Sequence, residues 1–143
     1  MRSYRSHVPH TTQLNDDLGV IVIRAKHSMD LAELVGVLGE LVRLPGFRAG
    51  LCLLVDFRGS TTPITADELR HLAIYAGRDD AKWGSTKWAL LASSAETFGL
   101  ARMFMAHTTP HQVTTHVFRT VGEADDWFGI GVEMDEILAR TPD

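Results

Sequence analysis

Leu51-Cys-Leu-Leu-Val55 is an unbroken apolar run in the middle of the chain. A strand covered on one face alternates apolar and polar residues, because successive side chains point to opposite sides. A run without alternation reads as a central strand covered on both faces. This stretch therefore predicts the middle of a mostly parallel sheet with helices packed over it.

Working towards the N-terminus, Leu44-Pro-Gly46 stops a helix that runs back from about Val42 to Asp30. Asp30 and Glu33 have capping-box spacing. Leu31, Leu34, Val35, Leu38, Leu41 and Val42 fall on one narrow face, which packs on something flat and apolar. Before it, Val20-Ile-Val-Ile-Arg24 is a strand rich in β-branched residues, preceded by a turn at Asn15-Asp-Asp-Leu-Gly19. A first strand is expected near Tyr4–Val8, paired with the second as an antiparallel edge hairpin.

Towards the C-terminus, Asp56–Ile64 reads as a loop, and Thr65-Ala-Asp-Glu68 opens a helix to about Arg78. Its core face is Ala66, Leu69, Leu72, Ala73 and Ala76. Lys87–Ala92 is a strand, Phe98–His107 a helix ended before Pro110, and Val113–Phe118 the last strand. Thr120 and Glu123 form a third capping box, followed by a helix that turns Ala124, Trp127 and Phe128 inward. Strands alternating with helices imply right-handed crossovers. The expected fold is a single α/β domain over residues 1–143, with about five strands and about four helices.

Phe98-Gly-Leu-Ala-Arg-Met-Phe-Met105 is apolar on nearly every side when wound at about 100° per residue. Phe98, Ala101 and Met105 share one face, assigned here to the sheet; Arg102 falls beside it and is expected to be partly buried. Leu100, Met103, Phe104 and His107 form the other side, which needs a neighbour: a partner subunit or an apolar ligand. Ile74 and Tyr75, opposite the core face of the preceding helix, extend that candidate surface, and Trp83 and Trp88 are further amphipathic anchors, although Trp88 is expected in the core.

Bulk composition narrows the function classes. Apolar content of 45% and charged content of 22% are ordinary globular usage. A formal charge of −4 and a pI near 5.9 argue against a nucleic-acid binder. The single cysteine, Cys52, excludes an intrachain disulfide and suggests a reducing compartment, so a cytoplasmic location is expected. No signal-peptide core follows Met1-Arg-Ser-Tyr-Arg5, and no apolar run is long enough for an integral membrane segment.

Three stretches resemble a known family. They are Leu-Leu-Val-Asp-Phe-Arg at 53–58 with Ile64-Thr-Ala-Asp-Glu-Leu69, the Phe98–Phe104 segment, and Val117-Phe-Arg-Thr-Val-Gly-Glu-Ala124 with Trp127. Together with the element order, they resemble the short bacterial STAS-like proteins called SpoIIAA-like, over roughly residues 15–130. The resemblance implies a fold shared with anti-sigma-factor antagonists and a binding or regulatory role. Those antagonists present a phosphorylatable serine in an Asp-Ser-Ser-Gly-like turn. Here the equivalent stretch is Arg58-Gly-Ser-Thr-Thr-Pro-Ile-Thr65, which offers hydroxyls without the motif.

Candidate chemistry is sparse. Arg58, Gly59, Ser60, Thr61 and Thr62 lie between a strand's C-terminal end and a helix N-terminus, where backbone N–H groups favour an anion. The phosphate-loop spacing is missing, and loop or capping roles explain the same residues. His107, His111 and His116 are the closest histidine cluster, but Pro110 interrupts it and no cysteine or spaced carboxylate joins it, so no metal is expected. Cys52 sits in the most apolar strand and reads as a small buried hydrophobe. No Gly-x-Ser-x-Gly elbow occurs, and Glu123, Asp125 and Asp126 are explained by a helix start. No cofactor and no catalysis are expected. The leading expectation is an interaction domain, a homodimer or the binder of another protein, docking through the outer face of the Phe98 helix. The alternatives are a carrier of a small apolar or lipid-like ligand, with Arg58 or Arg102 at its polar head, and a phospho-regulated switch.

Overall fold

The computed structural model describes residues 10–108 and 112–129. Strands β1 (His10–Asn15), β2 (Val20–Ala25), β3 (Cys52–Asp56), β4 (Thr86–Leu91) and β5 (Val113–Phe118) form one sheet in the order β1-β2-β3-β4-β5. Strand β1 runs antiparallel to β2, and β2 to β5 are parallel. Helices α1 (Leu31–Leu41), α2 (Ala66–Arg78), the short α3 (Asp80–Trp83), α4 (Ala95–Thr108) and α5 (Val121–Phe128) connect and follow the strands.

The expected antiparallel edge hairpin is present, with its outer strand at His10–Asn15; Tyr4–Val8 lies outside the described residues. His10-Thr-Thr-Gln-Leu-Asn15 is mostly polar and half-exposed along much of its length, as an edge strand can be. Its turn is built as the sequence suggests. Asn15 Oδ1 accepts from Leu18 N at 3.0 Å and Asn15 O from Gly19 N at 3.0 Å. Gly19 takes φ 68°, a conformation that costs glycine little.

Strand β3 is covered on both faces, as its composition requires. Leu53 and Val55 join Ile21, Ile23, Trp88, Leu90, Val113 and Val117 in the larger core cluster, against α1, α2 and α4. Leu54 joins Val20, Val22, Ala89 and Leu91 in the smaller one, against Val121, Ala124 and Phe128 of α5. Three crossover helices thus share one face because the strand order advances without reversal. A reversal of order would create a crevice at the strands' C-terminal ends. This sheet has none among its described strands, so its loops alone do not create a binding cleft.

All three capping boxes form, at Asp30 with Glu33, Thr65 with Glu68 and Thr120 with Glu123. Each satisfies two helix N-terminal donors and is worth about 1 kcal/mol. Helix α4 starts three residues before Phe98: Ser94 caps it, its Oγ accepting from Thr97 N at 3.1 Å. No Glu or Gln stands at position 97 to signal that start.

Trp83 and Ala66 are placed differently from the sequence reading. Trp83 is not a surface anchor but 1% exposed, edge-on to Phe47 and to Trp88 with ring centroids 4.9 Å apart in each pair. Ala66 is exposed, at the outer start of α2, although the rest of its expected core face is buried.

Candidate functional site

Helix α4 meets the larger core through Thr97, Ala101, Phe104 and Thr108, spaced i, i+4, i+7 and i+11. This corrects the assignment of its two sides. Phe104 is 6% exposed and belongs to the core, with Leu100 packed beside it. Phe98 and Met105 are half-buried at the margin, and Arg102 is exposed rather than partly buried. The deciding residues are threonines, which a reading by apolar character places outside. Thr108 can be buried because its hydroxyl lies 3.2 Å from Phe104 O and 3.1 Å from Met105 O within the helix. Phe98 is covered by the Arg119 guanidinium, 4.2 Å from the ring centroid.

Turning Leu100 and Phe104 inward creates the most distinctive feature of the domain, an apolar cavity of about 80 Å³ between the sheet and its helices. Its floor is Ile23, Leu53, Val55, Trp88 and Leu90. Leu34, Val37, Leu38 and Leu41 of α1, Leu69 and Leu72 of α2, and Thr97, Leu100, Ala101 and Phe104 of α4 form its walls. Met29, Phe57, Thr62 and Ile64 line it at the loop end. Leu38, Phe57, Ile64 and Leu100 are only partly buried and mark its margin. One water needs roughly 10–15 Å³ of such space, and a dry cavity of roughly 150 Å³ takes benzene. The space suits a small apolar group and not an entire lipid.

Two lining residues carry polar atoms that are buried without a hydrogen-bond partner, Thr62 Oγ1 and Trp88 Nε1. Native interiors leave few such atoms, since each costs about 1–3 kcal/mol.

The loop expected to hold an anion is divided by the fold. Arg58 turns back on the buried Asp56, with Nε 2.9 Å from Oδ1 and the second guanidinium nitrogen 3.1 Å from Oδ2, a bidentate fork. Ser60 Oγ donates to His27 O, and Thr61 Oγ1 lies 2.7 Å from Ser28 Oγ. Met29 N donates to Thr61 O at 3.2 Å. These bonds strap residues 60–61 to residues 27–29, and Thr62, next in line, is buried in the cavity wall. Gly59 and Arg58 instead border a polar cleft of about 630 Å³ on the outside, with Arg24, Lys26, His27 and Asp56. The five candidates therefore do not converge on one point.

The remaining candidates separate as well. Ile74 is 57% exposed and Met103 38%, and His107 is exposed at the end of α4. Tyr75 is half-buried against α1, where a Cβ built on Gly39 would lie 3.2 Å from its hydroxyl. The His116 ring lies tilted against Phe118 and Trp127, at 4.8 and 5.7 Å between centroids, and His111 lies outside the described residues. Among the described residues no three metal-ligating side chains are grouped to hold an ion, and no helix is long and apolar enough to cross a membrane.

The chain superposes on an uncharacterized protein from the DUF3478 family of Shewanella loihica PV-4, described as having a SpoIIAA-like fold. The match has a TM-score of 0.52 at 14% identity and covers 83% of this chain and 91% of the other. This chain has a SpoIIAA-like fold. No family model matches the sequence, and no curated protein matches it. The likeness extends to the arrangement of strands and helices; at that identity it carries no residue's role. The SpoIIAA-like sheet places the cavity beneath α4, the element whose segment resembled the family from sequence.

Proposed function

We propose that this SpoIIAA-like domain is a non-enzymatic binding module that holds a small apolar ligand, or the apolar end of a larger one, in the cavity beneath α4. The observation that carries the reading is an apolar cavity of about 80 Å³ between the sheet and helices α1, α2 and α4. Folded interiors rarely leave such space, because empty volume forfeits dispersion contacts. The walls carry no charged side chain among the described residues, so hydrophobic transfer is the driving force.

Self-association is the weaker reading. Leu100 and Phe104, on which it was built, line the cavity, leaving Ile74 and Met103 as exposed large apolar residues among those described. Scattered apolar residues of that kind are normal on a monomer. The phospho-switch has less support, because the hydroxyls of Ser60 and Thr61 are engaged in the loop strap.

The test is native mass spectrometry on protein purified without detergent, combined with thermal shift against short-chain apolar probes. A co-purified adduct, or a saturable rise in Tm that is lost in a folded Leu100→Trp variant, is the expected result. No adduct and no shift with any probe would contradict the proposal.

A further inference from the structure

The polar cleft outside the loop strap is a second place where this domain can hold a ligand. On the second face of the sheet, the apolar rows of β2 and β3 end in charge. Val20 and Val22 lead to Arg24, and Leu54 leads to Asp56, the register partner of Arg24. No reversal of strand order makes the cleft. It opens at these two strand ends, between residues 24–27 and 56–59, with a volume of about 630 Å³. That is a usual size for a small-molecule site.

Both walls are held in place by the protein itself. The Ser60 hydroxyl donates to His27 O, and the Ser28 and Thr61 hydroxyls lie 2.7 Å apart, so one wall is tied to the other. Asp56 accepts from Arg58 N, from Nε and from a terminal guanidinium nitrogen, which sets the direction of the guanidinium. Ser93 Oγ donates to Arg58 O at 3.0 Å and fixes the backbone there. A Cβ built on the exposed Gly59 would meet nothing, so the backbone at that point is open to close approach.

The charge of the cleft runs against that of the chain. The whole sequence carries −4, whereas the described lining sets Arg24, Lys26 and Arg58 against the single carboxylate of Asp56. Three cations against one carboxylate leave an excess of two positive charges. Lys26 is half-buried, and among the described residues no carboxylate pairs with it. A partly desolvated ammonium without a counter-ion is stabilised by an anion brought beside it.

We infer that this cleft binds a phosphate dianion carried by a small polar organic molecule. A phosphate monoester brings up to about two negative charges, which match the excess on the walls. Arg58 supplies a guanidinium oriented by Asp56, and Lys26 supplies a point charge from the opposite wall. The volume exceeds what a phosphate group fills and leaves space beside Ala25 for a sugar-sized body. Asp56 is a positioning residue, buried and acting through Arg58. The cleft is separate from the apolar cavity, so the cavity reading stands or falls independently of it.

Isothermal titration of the full chain with glucose 6-phosphate, gluconate and inorganic phosphate tests this, at fixed ionic strength and about pH 8, where a phosphate monoester is doubly ionised. Glucose 6-phosphate is expected to bind saturably and about tenfold tighter than gluconate, which has a similar body and a single charge. Lys26→Gln should weaken the phosphate ester about tenfold, and Lys26→Arg, which keeps the charge, should restore most of the affinity. In a ¹⁵N-edited spectrum the His27 and Gly59 amides should shift with glucose 6-phosphate, while the Trp88 indole in the cavity stays in place. Gluconate binding as tightly as glucose 6-phosphate would overturn the phosphate class, and inorganic phosphate binding as tightly would overturn the organic carrier. No binding of glucose 6-phosphate, or an unchanged affinity in folded Lys26→Gln, would overturn the site.

Discussion

Arg58 grips Asp56 through two nitrogens, at 2.9 and 3.1 Å, across the end of β3. The carboxylate is buried and the guanidinium about one-third exposed. Asp56 Oδ1 also accepts from Arg58 N at 3.0 Å, so the carboxylate shapes the turn as well as holding the charge. Arg58→Ala leaves that buried carboxylate without its side-chain fork. The expected cost is about 1–3 kcal/mol, read from urea denaturation. Loss of less than about 0.5 kcal/mol, the usual range of surface substitutions, would mean that the fork contributes nothing.

The two sides of α4 make opposite predictions. Phe104→Ala removes a ring from the core and should cost about 3–5 kcal/mol. Met103→Glu, one residue earlier on the exposed side, should stay within about 0.5 kcal/mol. Chemical denaturation of both variants checks the assignment. A stable Phe104→Ala with an unfolded Met103→Glu would reverse the helix.

Two glycines of α1 respond differently to the same change. A Cβ at Gly36 meets open space, so Gly36→Ala should stabilise the domain by about 1 kcal/mol through helix propensity. A Cβ at Gly39 would stand 3.2 Å from the Tyr75 hydroxyl, so Gly39→Ala should show little of that gain or a loss. In a Tyr75→Phe background the gain should reappear. Denaturation midpoints of the four proteins provide the comparison, and an equal gain at both glycines would show that α1 and α2 do not approach so closely.

His10, at the start of β1, should make stability depend on pH. Burial pushes its imidazole below the ordinary value, against the opposing pull of Glu40 and Glu33. The unfolded chain therefore takes up a proton more readily than the folded one. Stability is full above the ordinary value of about 6.5 and falls as pH drops through it, levelling once the folded imidazole is protonated. Thermal unfolding between pH 7.5 and 5.5 should show that decline, and His10→Gln should flatten part of it. An identical decline in the variant would assign it to other groups.

Much of the fold is legible because its signals are local. The unbroken run at 51–55 announces a strand buried on both sides, and three Asp or Thr caps with Glu at the third position announce helix starts. The outer strand at His10–Asn15 is less legible, because a mostly polar edge strand resembles loop composition. The inward side of α4 depends on Thr97 and Thr108, whose burial follows from packing and from a hydroxyl bonded to its own helix. Trp83 becomes core through its contacts with Phe47 and Trp88, which no spacing in the chain reveals. The cavity is least legible of all. It arises from volume that Leu, Val and Phe side chains on α1, β3, α2, β4 and α4 leave unfilled, and volume has no sequence motif. Thr62 belongs to its lining, although composition groups it with the neighbouring hydroxyls of Ser60 and Thr61, from which the loop strap separates it.

The central claim is that the cavity beneath α4 takes a ligand, and the Trp88 indole lining it is a direct reporter. In a ¹⁵N-edited NMR titration with xenon, an apolar probe small enough for the space, the Trp88 side-chain N–H and the Thr62 amide should move together and saturate. The Trp127 indole, packed with Phe118 and His116 on the opposite side of the sheet, should stay in place. Resonances that do not move, or that move only around exposed Ile74 and Met103, would contradict the account.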